Sequence, residues 1–265
     1  MGSDLASFEV PLNPEDAAAI VVDTGPQVRG WVYALLGASD PALAREVHNA
    51  AGPRPFACSG LIGPRGIQPW IGRLVAGEAY CLRLCALTAR VAAALEAALS
   101  RALAGDGVIR LGPAALRMAR PPTVVQSSYR RLAESPPRSR WRLDFRSPTA
   151  FRQRVGHLPL PLPDLIVRSA ADRWNAFCPD ALRLDAGLLQ TAEEALFPSQ
   201  VDIRSRRVRL EHGAFVGFIG SAEFTPVGSL PVAATAQLGA LFAYACYCGL
   251  GHGTTRGWGQ VASGR

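Results

Sequence analysis

The spacing of apolar residues changes along the chain, and the changes divide it into elements. Ser7 to Leu12 reads as a first strand, and Gly25 to Leu36 as a helix. A second helix is predicted over Pro41 to Asn49, its start marked by Asp40 as cap and Pro41 at the first helical position. Strand-like runs follow at Phe56–Ile62, Ile67–Val75 and Glu78–Leu87. Ala89 to Leu103 is alanine-rich, free of Gly and Pro, and spaces Val91, Leu95 and Leu99 as a helix does. Val108–Met118 reads as the strand that closes this half. The second half repeats the theme: a strand over Arg140–Phe145, then helices over Leu165–Phe177 and Asp185–Leu196. A hairpin of Val201–Glu211 with Phe215–Phe224 turns near His212-Gly213. A long apolar helix over Pro231–Cys248 and a last strand over Trp258–Ala262 complete it. The order in each half is that of a split βαββαβ unit. The predicted fold class is therefore α+β, with two tandem ferredoxin-like (RRM-like) units. They occupy residues 1–120 and 140–265 and are joined by a basic segment, 121–139.

Composition adds a single sharp fact. Every one of the 28 basic residues is arginine, against 21 acids, for a net charge of +7. Without lysine the chain has no Schiff-base chemistry and no Walker-type phosphate loop. Codon usage alone can produce such a bias, so the distribution of the charge carries more than its sum. Residues 121–160 hold 8 Arg against 2 acids, whereas the flanking stretches are nearly balanced. These are Arg130, Arg131, Arg138, Arg140, Arg142, Arg146, Arg152 and Arg154, interleaved with Tyr129, Trp141, Phe145 and Phe151. Guanidinium forks for phosphates beside aromatic planes for bases are what nucleic-acid contact requires. A proline-punctuated solvated linker is the plainer account of the same stretch. A second cluster, Arg204, Arg206, Arg207 and Arg209, falls on the predicted hairpin, where alternation puts Arg204 and Arg206 on one face.

Other chemistries find little purchase. The six cysteines form no CxxC pair and have no histidine at ligand spacing, so no metal site is expected, and most sit in apolar runs as small buried hydrophobes. Reduced cytoplasm is the expected compartment. The N-terminus lacks the basic and apolar regions of a signal peptide, and Leu230–Leu250 is too interrupted for a membrane span. No cofactor fingerprint is present.

Gly249-Leu250-Gly251 and Gly257-Trp258-Gly259, separated by five residues, give the most specific motif, GhGxxxxxGhG, between a helix and a strand. Such glycine density lets a backbone approach a phosphate chain and aim amide donors at it, with His252 and Arg256 adding charge. It is not a dinucleotide fingerprint, which follows a strand and opens a helix. An ordinary helix-to-strand turn is the competing account.

The glycine loop, its preceding helix and Gly213–Gly220 resemble the C-terminal half of the CRISPR repeat-RNA endoribonucleases, the Cas6 family of the RAMP superfamily. Phe145–Arg152, Leu158-Pro159-Leu160-Pro161, Arg168-Ser169 and Arg173-Trp174-Asn175 are similar to segments that open that half. Arg29–Tyr33, Asp40-Pro41, Leu43-Ala44, His48 and Gly52–Phe56 resemble the family's first helix pair and following strand. The resemblance implies metal-independent cleavage of repeat RNA by its own 2′-hydroxyl, leaving a 2′,3′-cyclic phosphate and a 5′-hydroxyl, without a cofactor and with guide RNA as product. It places the family's catalytic Tyr on Tyr33 and its His on His48. The family's Lys falls on Arg54, a departure that keeps positive charge and removes a proton donor at neutral pH. In-line attack needs a proton acceptor, a donor to the leaving oxygen and positive charge, and among the four histidines His48 is best placed, by a helix end, a glycine and an arginine. RNA contacts are expected at Arg29, the eight arginines of 121–160, Arg204, Arg206, Gly249, Gly251, His252, Arg256, Gly257 and Gly259. The alternative is a non-catalytic repeat-RNA-binding subunit of a CRISPR effector complex, whose other subunits are further candidate partners.

Overall fold

A computed structural model describes residues 3–264. In the first half, β1 (Leu5–Pro14) and the two-residue β2 (Ala19–Ile20) lead into α1 (Gly25–Ser39) and α2 (Pro41–Asn49). Then come β3 (Phe56–Cys58), β4 (Gly72–Arg73), β5 (Tyr80–Ala86), α3 (Ala89–Ala104), and the hairpin β6 (Val108–Leu111) and β7 (Ala114–Met118). The sheet runs β3-β5-β1-β7-β6, all antiparallel. Taking the hairpin as the closing strand, the order is second-third-first-fourth, the pairing of a ferredoxin-like unit. Alternation explains its face: Phe8, Val10 and Leu12 are buried while Glu9 between them is exposed. Onto that face α1 lays Val28, Val32, Leu35 and Leu36, and α3 lays Val91, Leu95 and Leu99.

The second half repeats the order. It comprises β9 (Trp141–Thr149), the short hairpin β10 (Phe151–Arg152) with β11 (His157–Leu158), α5 (Pro163–Phe177), α6 (Ala186–Ala195), β12 (Leu196–Arg209), β13 (Ala214–Pro226), α7 (Val232–Cys248) and β14 (Val261–Ser263). Its sheet is β12-β13-β9-β14, again second-third-first-fourth. The fold is two tandem ferredoxin-like units, as the periodicity predicts. Boundaries differ where backbone partners decide. Phe56–Ile62 pairs only through Cys58 apart from isolated bridges, Ile67–Val75 contributes only β4, and Val108–Met118 is a hairpin because Gly112, at φ +61°, turns it.

Within the segment expected as a linker, Thr123–Ser127 forms β8 on β1, and Tyr129–Ala133 forms α4. The hydroxyl of Tyr129 donates to the Leu87 carbonyl at 2.9 Å and lies 3.1 Å from that of Tyr244, and its ring meets Trp174 edge-on at 4.9 Å. Tyr129, Leu5 and Leu87 all belong to the apolar cluster of the second unit, so this segment pegs the two units together. Among the described residues no helix is long and apolar enough to cross a membrane.

Candidate active site

The position of His48 follows from how α2 is held. Asp40 caps its start, accepting from the Leu43 amide at 2.9 Å, and Arg90 of α3 grips Asp40 and Glu46 at 2.8 Å each. Burial of Leu43 and Val47 sets the rotation of the helix and leaves His48, in the last turn, exposed. Tyr33 stands on α1 in the half-buried position after Val32, and its ring meets that of His48 edge-to-face at 5.3 Å. Phe56, the first residue of β3, supports Tyr33 from another side at 5.5 Å and 89°. The Arg29 guanidinium, one turn earlier on α1, lies over the Tyr33 ring, 5.5 Å from its centroid. The Tyr33 hydroxyl is shielded from solvent and has no hydrogen-bond partner among the described residues. Buried polar atoms are ordinarily satisfied, so an orphaned phenol beside an exposed imidazole points to a ligand that completes it.

Arg54 is brought to the same place, with a different task from the one expected. Its guanidinium donates to the carbonyls of His48 at 3.1 Å and Gly52 at 2.7 Å, and also to that of Ala50. Those oxygens are the unsatisfied end of α2 and the turn after it, where a cation is favoured. Only Nε is left without a partner. Arg54 thus braces the loop that carries His48, and among the described residues Arg29 has no ion-pair partner.

The glycine loop is corrected more substantially. Its amides are spent inside the protein: Gly249 on Ala245 O, Leu250 on Gly259 O, His252 on Ala150 O, and Gly259 on Pro148 O, at 2.8–3.1 Å. The Gly251 amide donates to Ser169 Oγ at 2.8 Å, and Arg173, one helical turn beyond Ser169, donates to the Gly251 carbonyl at 2.8 Å. Gly257, at φ +90°, lies so close to Gly60 and Gly25 that a Cβ there would stand 2.6 Å from the Gly60 nitrogen. The glycines let backbone meet backbone where the two units join, instead of cradling phosphate. Gly249, Gly251 and Gly259 thus spend their amides within the protein. Trp258 completes the seam by donating from its indole to Asp23 Oδ2 at 2.6 Å, just before α1. Burial raises the Asp23 carboxyl above its ordinary value, against the bonds from Trp258 and the Gly25 and Thr24 amides. Sequence reasoning missed Asp23, Ser169 and Arg173 as parts of this seam. The i, i+4 spacing of the last two on α5 was the available signal.

Several of the remaining arginines pair with nearby acids. Arg130 pairs with Glu134, Arg140 with Glu223, and Arg142 and Arg146 share Asp144. Arg146, Arg204 and Arg206 line a cavity of about 550 Å³ with Gly66–Gln68 of the first unit. Arg138, Arg140 and Arg142 line another, with Trp141 and Phe242. Arg131 and Arg154 are exposed. Arg152 and Arg256 gather around His252, whose value burial pushes down to about 4, helped by His157, Arg256, Arg152 and Arg173.

The model of the CRISPR-associated endoribonuclease Cas6 family matches residues 143–261. A product complex of a Thermus thermophilus Cas6 superposes with a TM-score of 0.80 at 26% identity, covering 99% of this chain and 100% of that one. The chain is similar to the Cas6 family. A second Cas6 product complex gives 0.77 at 27% identity over 98% and 99% of the two chains. A Cas6-related protein from Pyrococcus furiosus shares the fold at 13% identity and a TM-score of 0.67, over 100% and 99%. No curated protein sequence matches the chain. The family model covers the half without the Tyr33–His48 pair, so the geometry of α1 and α2 carries the argument for the centre.

Proposed function

We propose that this protein cleaves CRISPR repeat RNA at the Tyr33–His48 pair, using the RNA's own 2′-hydroxyl as nucleophile and requiring no metal ion. The 2′-oxygen attacks the adjacent phosphorus as the bond to the 5′-oxygen breaks. The products are a 2′,3′-cyclic phosphate and a 5′-hydroxyl. One proton leaves the nucleophile and one reaches the leaving oxygen. His48 and Tyr33 divide these transfers, and the Arg29 guanidinium faces the charge that builds on phosphorus. The gathered groups are an imidazole, a phenol and guanidinium, a donor set suited to a phosphodiester.

The observation that carries this reading is the edge-to-face contact of an exposed His48 with a Tyr33 whose hydroxyl has no partner among the described residues. The likeness to two Cas6 product complexes supports RNA as the substrate class. Six free cysteines suit a cytoplasmic setting. Repeat RNAs from the host's own CRISPR arrays, incubated with the protein in EDTA, are expected to yield a single cut with a cyclic phosphate end. His48→Ala is expected to bind and not cut. Failure of cleavage in EDTA, or full activity of the variant, overturns the mechanism.

A second reading, an RNA-binding subunit that does not cleave, is favoured by one observation: Arg54 is turned onto carbonyls. Tight binding with no product over hours would select it. Retention of the product and docking to other effector subunits belong to either reading.

A further inference from the structure

A cavity of about 590 Å³ opens between α7, the start of β9 and the stretch that follows α4. None of its lining residues belongs to α1, α2 or the glycine loop. Gly239, Phe242, Ala243 and Cys246 recur at helical spacing on α7 and form one wall. Trp141, the first residue of β9, forms another, its ring stacked on Phe242 at 5.5 Å and 28°. Arg138, Arg140 and Arg142 stand around it with one acid, Glu223. Glu223 and Asp144 hold Arg140 and Arg142 loosely, at 3.5 Å each. Arg138 is exposed and enters no ion pair among the described residues.

Two features of the walls are not explained by packing. Trp141 is 4% exposed, and its indole nitrogen has no hydrogen-bond partner among the described residues. Buried donors are ordinarily satisfied. Beside it, α7 carries a glycine in mid-helix, where alanine is intrinsically better. Outside the adjoining helix backbone, a Cβ on Gly239 would have one neighbour within 4 Å, the Trp141 nitrogen. Its distance, 3.9 Å, is an ordinary contact, so the fold does not require glycine there. The effect of Gly239 is to keep room next to an unpaired indole N–H.

Together these groups restrict what can fill the cavity. Guanidinium groups favour a phosphate. Aromatic and apolar walls favour a flat ring, and a few convergent polar groups orient it. An unpaired N–H favours a ring that carries an acceptor. Inorganic phosphate answers the arginines alone, and a fatty acid leaves the indole unpaired. A nucleotide meets all three demands, since its base is planar and bears accepting nitrogens or carbonyls.

We propose that this cavity is a nucleotide-binding site, with the base against Trp141, Gly239 and Phe242 and the phosphate on Arg138, Arg140 and Arg142. The nucleotide arrives free or as one unit of a bound RNA. The second source rests on the RNA reading above, and the first stands apart from it.

The test follows the indole N–H signal of Trp141 by NMR in the full-length protein, assigned by its loss in Trp141→Phe. AMP, inorganic phosphate and a repeat RNA whose cut nucleotide is 2′-deoxy are added separately. AMP at millimolar concentration is expected to move the signal downfield, and phosphate to leave it in place. Gly239→Ala, and separately Arg138→Ala with Arg140→Ala, are each expected to weaken AMP binding about tenfold. Gly239→Ala is expected to unfold at no lower urea than wild type, because alanine favours the helix. A shift with the RNA assigns the nucleotide to RNA, and a shift with AMP alone assigns it to a free nucleotide. A shift with phosphate alone, no shift with either AMP or RNA, or full affinity in Gly239→Ala overturns the site. Cleavage of unmodified repeat RNA is scored separately, so loss of this site and loss of the RNA reading are distinct outcomes.

Discussion

The guanidinium of Arg54 donates to the main-chain oxygen of His48, 3.1 Å away, so the arginine after α2 is fastened to the backbone of the residue proposed to move the proton. Arg54→Ala is expected to cost about 1 kcal/mol of stability, because the end of α2 loses a charged donor shared among three carbonyls. It is also expected to slow cleavage by loosening His48. Arg54→Lys should recover part of both, since an ammonium keeps the charge and loses the planar fork. Urea melts and single-turnover rates on repeat RNA separate the two effects.

Tyr33 and His48 should respond differently to deletion of their functional atoms. The Tyr33 hydroxyl makes no hydrogen bond among the described residues, so Tyr33→Phe is expected to leave stability unchanged or slightly raised. If the phenol moves a proton, the same variant cuts RNA at least ten times more slowly. His48→Ala is expected to lose roughly a hundredfold to ten-thousandfold in single-turnover rate. Tyr33→Phe with a wild-type rate would remove Tyr33 from the chemistry and leave it as a support for His48.

The Trp258 indole is a main stabiliser of the buried Asp23 carboxylate. Trp258→Phe leaves Asp23, 4% exposed, with the neighbouring Gly25 and Thr24 amides and without its indole donor. A loss of about 2–3 kcal/mol is expected near neutral pH. The loss should shrink in acid. The Asp23 carboxyl is already raised by burial, and removing the indole raises it further, so the protonated form is reached sooner. Urea midpoints of the variant and wild type at pH 7.5 and pH 5 provide the comparison.

His252 gives the protein an acid sensitivity of a predictable sign. Its folded value is pushed down to about 4, against an ordinary value near 6.5, so between these the unfolded chain binds the extra proton. The stability tied to His252 is therefore complete above about pH 6.5 and declines as pH falls toward 4. His252→Asn is expected to flatten that part of the curve. Bound phosphate should shift the imidazole's titration upward, which an NMR titration with and without repeat RNA detects.

Much of this was legible in the residues. The start of α1 at Gly25, the whole of α2 and the cap at Asp40 follow from local spacing and capping chemistry, which side chains within one turn determine. The second-third-first-fourth pairing follows from the repeated element order. The Tyr33–His48 meeting could be expected because α1 and α2 are joined by a single residue. What local reading missed depends on distant partners. The glycine loop was read as a phosphate cradle because its glycines were visible and the backbones they approach, at Gly25, Gly60 and Ala150, were not. Likewise, Thr123–Ser127 looked like linker since all but its last residue are exposed, and only pairing with β1 makes it a strand. The arginines of 121–160 are contiguous in sequence, and the structure keeps Arg142 and Arg146 together on Asp144, each lining a cavity.

The seam between the loop and α1 also decides how this duplicated fold can be taken apart. Trp258 closes on Asp23 across 235 positions of chain, and Gly257 presses on Gly25 at the root of the helix that bears Tyr33. The floor beneath the centre is thus supplied by the far end of the polypeptide. An isolated first unit would keep every residue assigned to chemistry, yet expose a buried carboxylate and lose the support that sets the helix. The repeat in architecture does not confer independence: the halves are pieces of one cooperative body, and neither can be exchanged for a lookalike without its matching glycines.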